Sequence, residues 1–286
     1  MEVDSECGAI TTPCGFSAPA QNGGEYLRGI IHRQYGSSRI LPLYASSFGE
    51  ELAAIPPSQM DRLGAVMGHF YFGAHTFLSK PYIYITMLRD RVDRVISRYY
   101  FARRSPLDDL YDSVRGMSLK EFAETWVDND QTRLLAGKYG ALSSETCSYD
   151  ELLSVAKENL AKHFAVVGIT EEFDRSLILM KRILGWRNPF YMRRNVTRAR
   201  PRKGEISQET LHSIEANNKL DLELYRYAKK LFQEQIGSQS SSFENELQRF
   251  RKLNGTYGRL HVLLSVGRRV TAGKILAGAR LFMRHE

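Results

Sequence analysis

The sequence predicts an α/β fold built on a mostly parallel sheet. Three observations carry that expectation. The segment PYIYITML (81–88) is β-branched, aromatic and apolar enough to be buried on both faces, as strands of a parallel sheet are. FAVVGI (164–169) is a second short apolar run of the same kind. Segments with helical spacing lie around both runs, and strands that alternate with helices assemble into parallel sheets.

Taken in order, the first forty residues read as strand, glycine loop and helix. FSAPAQNGG ends in two glycines, and EYLRGIIHRQYG repeats apolar residues at Leu27, Ile30 and Ile31. Leu41 to Gln59 is polar and contains prolines, and no element is assigned to it. Val66 to Phe77 is aromatic and irregular, which suits a strand followed by a loop. The 81–88 strand runs into RDRVDRVISRYYFARR, where Val92, Val95, Ile96, Tyr99 and Tyr100 share one helical face. Ser118 to Glu121 and Ser148 to Glu151 are capping boxes, in which a serine hydroxyl and a glutamate carboxylate satisfy the first amides of a helix. They open LKEFAETWV and DELLSVAKENLAKHF. EEFDRSLILMKRILGW is an amphipathic helix with a Gly-Trp stop, and ETLHSIEANNKLDLELYRYAKKLFQEQI is one or two helices. GSQSSS (237–242) is a linker by composition, which divides an α/β domain at 1–236 from a basic amphipathic extension at 237–286.

The chain has 286 residues, 43% of them hydrophobic and 25% charged, enough to bury a sizeable core. No stretch approaches the ~20 apolar residues that span a bilayer. The N-terminal residues lack the basic and apolar regions of a signal peptide. Cys7, Cys14 and Cys147 make no disulfide framework. A cytoplasmic location is therefore expected, with a lumenal Golgi-type domain as the alternative if an anchor has been removed. Net charge is +8, but residues 237–286 hold nine Lys/Arg against three Glu, so most of the excess belongs to the extension. That concentration argues against a general nucleic-acid role for the core. Arg193 to Lys203 packs six Lys/Arg without an acid, a local anion-site candidate. No His/Cys/carboxylate cluster has metal-ligand spacing, so no metal is expected.

The most informative segment is IYITMLRDRVDRVISRYYF. A buried strand ends at Arg89, and the following helix carries Ser97 two turns in. A cation at a strand's carboxyl end and a hydroxyl on the next helix can hold one phosphate from two sides, with the helix N-terminus adding its dipole. An Arg–Asp pair at a helix start with a solvent-facing serine fits the same residues.

Strand–Arg–Asp–x–x–x–Arg–x–x–Ser–x–Tyr–Tyr resembles the 3′-phosphate motif of the sulfotransferases that use 3′-phosphoadenosine 5′-phosphosulfate. The resemblance spans roughly residues 16–236 and points to the carbohydrate branch, of the heparan 2-O-sulfotransferase kind. It implies a P-loop-like three-layer α/β/α fold, with that nucleotide as cosubstrate and no metal. Arg89 and Ser97 then grip the 3′-phosphate, and Arg91 stands where the family usually has Pro. MGHFYFGAH (67–75) is similar to the Gly-His-x-x-Phe segment, which makes His69 the catalytic base and His75 a weaker candidate near the acceptor. DNDQTRLLAG (128–137) resembles the Asn-x-Gln-Thr-Arg segment, which implies acceptor-side roles for Asn129, Gln131 and Arg133. The segment from Asn195 to Phe232 resembles the family's closing segment. Its basic loop implies donor contacts from Arg198, Arg200, Arg202 and Lys203.

The first phosphate loop departs from the family. A Pro-Lys-Thr-x-Gly-Thr-Ser loop ordinarily wraps the 5′-phosphosulfate with backbone amides. Here Gln21 stands for the Lys, Asn22 for the Thr, and Glu25-Tyr26 for the terminal hydroxyls, while Gly23 and Gly24 remain. A cation aimed at transition-state charge is worth several powers of ten in rate.

The expected function is transfer of a sulfuryl group to a hydroxyl of a carbohydrate-type acceptor, with His69 as general base. The alternative is an impaired relative that binds nucleotide or sulfated glycan without turnover. A P-loop kinase would need G-x-x-x-x-G-K-[ST], which does not occur. Residues 237–286 either pack on the core or a second subunit or dock on an anionic membrane or glycan.

Overall fold

The computed structural model describes residues 8–12, 23–44, 48–126, 129–137, 147–192, 201 and 203–258. Its centre is one five-stranded sheet: β1 (Gly8–Thr12), β2 (Ile40–Tyr44), β3 (Ala65–His69), β4 (Tyr82–Leu88) and β5 (Phe164–Ile169). The strand order is β2-β3-β1-β4-β5, and all four pairings are parallel. The parallel α/β architecture read from the sequence is thus present. β4 and β5 fall where their apolar runs put them, and Tyr84, Ile85, Met87, Leu88, Val166 and Val167 are fully buried.

Twelve α-helices accompany the sheet among the described residues. They are α1 (Gly23–Tyr35), α2 (Phe48–Ala54), α3 (Pro57–Met60), α4 (Arg91–Ala102), α5 (Tyr111–Val114) and α6 (Leu119–Thr125), followed by α7 (Asp130–Ala136), α8 (Tyr149–His163), α9 (Phe173–Leu184), α10 (Gln208–Asn217), α11 (Lys219–Gly237) and α12 (residues 242–258). Both capping boxes form, at Ser118 and Ser148. Asp90 caps α4 by accepting from the Asp93 amide at 3.0 Å. Gly185 ends α9 in the left-handed conformation, and the Trp186 indole donates to the Tyr35 hydroxyl at 3.0 Å.

Two readings differ from the observed fold. The stretch 41–59 contains the edge strand β2 and the short helices α2 and α3. Pro42 lies within β2, where a residue without an N–H is tolerated because the strand has a neighbour on one side only. The boundary expected at 236/237 falls inside packed structure. Phe243, Leu247 and Phe250 of α12 belong to the main core. Glu246 pairs with Lys181 and with Arg182 (2.8 Å), Glu244 with Arg175 (2.6 Å), and Arg251 with Asp174 (3.1 Å). GSQSSS is a turn that Arg182 braces through Ser240 and Ser242, so its polar composition reflects contact with α9. A second, smaller core joins Val92, Val95, Ile96 and Tyr99 of α4 to Phe122 of α6 and Ile214 of α10.

Candidate active site

A parallel sheet delivers the carboxyl ends of all its strands to one edge, where α/β proteins bind ligands. Register through β1 sets Ala65 level with Ile83, so His69 at the end of β3 and Arg89 after β4 reach the same edge. Thr170–Glu172 follows β5 there as a 3-10 turn. His69 is preceded by Gly68, whose φ is 151° and whose missing Cβ would lie 1.9 Å from the Leu43 carbonyl oxygen. Only glycine fits that close approach of β2. Residue 68 therefore fixes how the chain delivers the histidine. Burial, assisted by the Arg94 guanidinium, holds the His69 pKa down to about 3. The imidazole is therefore neutral at pH 7, and its burial makes it a weaker base than a free imidazole.

Arg89 is positioned by its backbone. Its amide donates to Gln131 Oε1 at 2.9 Å, and Gln131 Nε2 donates back to its carbonyl at 3.1 Å. Gln131 is completely buried. Behind it Asp221, also completely buried, accepts from the Thr132 amide and hydroxyl, both at 2.8 Å, and more distantly from the Gln131 amide at 3.4 Å. Asn129 caps α7 in the left-handed region (φ 43°), and its side-chain oxygen accepts from the Asp221 amide at 3.2 Å. Two buried arginines of α4 complete the cluster. Arg91 donates to Asn218 (2.8 Å) and Asp130 (3.0 Å), and Arg94 grips Asp130 with both terminal nitrogens. The expected acceptor-side residues Asn129 and Gln131 are thus engaged inside the fold, joining α4, α7 and α11. Arg133 of the same helix is half-buried.

Ser97 is buried on α4, eight residues after Arg89. Lys203, the described member of the basic loop's candidate contacts, stands at α4's opening with its ammonium 3.9 Å from Asp90. Glu171 closes the other side. Its carboxylate accepts from the Asp90 amide (3.1 Å) and the Tyr225 hydroxyl (2.7 Å). Desolvation raises its pKa against the opposing pull of these bonds and of nearby Arg89. Sequence reasoning missed Glu171, Tyr225, Arg94, Asp130 and Asp221, although Arg94 and Asp130 lay inside the quoted motifs.

His75 is separated from His69. It sits in a 3-10 turn (Ala74–Phe77), where Nδ1 and the backbone amide both meet the Tyr84 hydroxyl, at 2.9 and 3.0 Å. Its ring packs with Tyr82, Phe72 and His163. Tyr82 and Tyr84 lie in the first half of β4, away from the Arg89 end. Desolvation, then His163, lowers the His75 pKa.

Gly23 and Gly24, expected as loop residues that supply amides to the 5′-phosphate, form the first two residues of α1. Tyr26, at one of the hydroxyl positions, is buried against Tyr191 (centroids 4.9 Å) and Phe173 (6.0 Å), so that position serves packing. Gln21, Asn22, Arg198, Arg200 and Arg202 lie outside the described residues. Among the described residues no group of three or more His, Cys, Asp or Glu could hold a metal ion, and no helix is long and apolar enough to cross a membrane.

The family described as galactose-3-O-sulfotransferase matches residues 44–262. Human heparan-sulfate 6-O-sulfotransferase 3 is 32% identical over 215 residues, which cover 64% of this chain and 43% of that protein. Chicken heparan-sulfate 6-O-sulfotransferase 2 is 33% identical over 205 residues, covering 61% and 50%. Heparan-sulfate 6-O-sulfotransferase 1 of Cricetulus griseus is 31% identical over 186 residues, covering 54% and 45%. The matched region spans about half or less of the length of these relatives. Their names carry 6-O transfer, where the sequence motifs had suggested the 2-O kind.

Proposed function

Because the chain belongs to the galactose-3-O-sulfotransferase family, we propose that it transfers a sulfuryl group from 3′-phosphoadenosine 5′-phosphosulfate to a carbohydrate hydroxyl. One observation carries the reading: His69 ends β3 at the sheet's carboxyl edge, which Arg89 after β4 also reaches, and Lys203 lies at that end of α4 beside Asp90. In this reading Arg89, Ser97 and Lys203 hold the donor's 3′-phosphate, a dianion suited to charge-assisted hydrogen bonds. His69 takes the proton of the acceptor hydroxyl as that oxygen attacks sulfur. The all-parallel order β2-β3-β1-β4-β5, with α1 following the central strand, supports a P-loop-like three-layer arrangement.

The relatives' names and the family description both specify a sugar hydroxyl, which supports a carbohydrate acceptor. Tyr44 adds to that support. It is 52% exposed and is the register partner of His69, so an aromatic face stands beside the base. The test is transfer of labelled sulfate from the donor to desulfated heparan and to galactose-terminated oligosaccharides. Transfer to neither, with intact donor binding, favours the second reading, an impaired transferase that binds nucleotide. Glu25 and the inward-packed Tyr26, where the family places hydroxyls, support that alternative.

A further inference from the structure

We propose that Gln131 is a positioning residue for the donor site, acting on Arg89 through the peptide backbone and held in place by Asp221. The inference rests on the reading that Arg89 binds the donor's 3′-phosphate.

The argument begins with what a loop residue lacks. Arg89 follows the last residue of β4, where the ladder ends and a backbone amide and carbonyl lose their regular partners. α4 does not begin until Arg91. The two residues between could adopt several conformations, and each would swing the Arg89 side chain elsewhere. Gln131 removes that freedom with one primary amide. Its oxygen accepts from the Arg89 N–H (2.9 Å) and its nitrogen donates to the Arg89 carbonyl (3.1 Å). A primary amide alone among neutral side chains offers a donor and an acceptor side by side, so it pairs with the N–H and C=O of one residue as a neighbouring strand would.

The clamp is itself anchored. Gln131 is fully buried in the second position of α7, and that helix's first turn is fastened to α11 by Asp221 through the amide and hydroxyl of Thr132. Asp130, between Asn129 and Gln131, meets Arg91 and Arg94 of α4. The segment that carries Gln131 is thus braced against the helix that carries Ser97, and the two phosphate contacts are referenced to one frame. Positioning of this kind matters because small displacements of a binding group cost affinity and rate disproportionately.

The experiment measures affinity for 3′-phosphoadenosine 5′-phosphate and for AMP, which lacks the 3′-phosphate, by calorimetry on the full chain. Gln131→Met keeps the side chain's length and removes both hydrogen bonds. Its preference for the bisphosphate should fall about tenfold or more, with AMP affinity unchanged. Leu247→Ala loosens the main core at α12 and removes no group that the clamp on Arg89 uses. It should lower Tm yet keep the wild-type preference, which separates positioning from general loosening. A folded Gln131→Met with wild-type preference overturns the inference. A wild-type chain that binds both nucleotides equally overturns the reading of Arg89 beneath it, a distinct result. If Gln131→Met does not fold, the wild-type chain answers by NMR. The Gln131 side-chain amide signals should shift on adding the bisphosphate and stay put on adding AMP; unmoved signals at saturating bisphosphate overturn the inference.

Discussion

Arg94 stands beside His69 with its own guanidinium spent on Asp130, so the residue that opposes protonation of the imidazole is itself neutralised in part. The carboxylate relieves the site of a bare buried cation, and burial remains the larger cause of the low His69 pKa. A donor bound at Arg89 would bring negative charge to this edge and make His69 a stronger base when both substrates are present.

The first prediction concerns acid. In the unfolded chain His69 titrates near its ordinary 6.5, and in the folded chain near 3. Above pH 6.5 neither state is protonated and stability does not depend on this group. As pH falls from 6.5 toward 3 the unfolded chain takes up a proton that the folded chain refuses, so stability drops by up to about 1.4 kcal/mol per pH unit. Urea midpoints at pH 7 and 4.5 should fall further for the wild type than for His69→Gln. Equal losses would mean that His69 titrates normally in the native protein.

A second prediction follows from the neutral imidazole at the β3 terminus. His69→Ala should lower sulfuryl transfer by ~10²–10⁴ while leaving donor affinity nearly intact, as loss of a general base does. Steady-state rates beside calorimetric Kd values check it, and near-normal turnover would move the base elsewhere.

Arg89 furnishes the third. Arg89→Ala should weaken binding of 3′-phosphoadenosine 5′-phosphate by ~2–4 kcal/mol, the range for truncating one side of a charge-paired contact. AMP, without the 3′-phosphate, should be unaffected; a parallel loss for AMP would show that the substitution damages the site at large.

The fourth concerns Gln21, where the family carries Lys. Gln21→Lys should raise transfer activity, because a cation near the bridging oxygen stabilises charge that develops as the bond breaks. Rates for the two forms at equal donor saturation decide it. A vigorous wild-type enzyme that slows on gaining the lysine would mean that another cation already fills the role.

Stability gives the fifth. Leu247 is fully buried in the main core, so Leu247→Ala should destabilise the fold by ~2–5 kcal/mol. Glu244→Gln, at a pair more than half exposed on the acid's side, should change it by less than about 1 kcal/mol. Thermal or urea unfolding reads both. A Leu247→Ala variant as stable as wild type would mean that α12 merely rests on the domain.

What could be read in advance was local. Apolar runs gave β4 and β5, serine-to-glutamate spacing gave the starts of α6 and α8, and the strand-to-helix turn at Arg89 was visible because all its parts are consecutive. The edge strand β2 stayed hidden because five residues containing Pro42 carry little strand signal until a neighbour pairs with them. The bracing of Arg89 was illegible for a different reason. Gln131 and Asp221 lie 42 and 89 residues from the groups they engage, and a polar side chain in sequence looks the same in solvent or in a buried cluster. Ser240 and Ser242 misled in the opposite sense, reading as a linker while holding Arg182.

The packing of α12 also bears on how the protein is made. Phe243, Leu247 and Phe250 complete a core whose other members include β1's neighbours in the sheet, and Glu244 and Glu246 answer the cations Arg175, Lys181 and Arg182 of α9. While a ribosome is still translating the residues before these, α9 presents three positive side chains whose carboxylate partners have not yet been made. Those charges stay unanswered until α12 emerges, an interval in which a chaperone that favours basic segments would find its target.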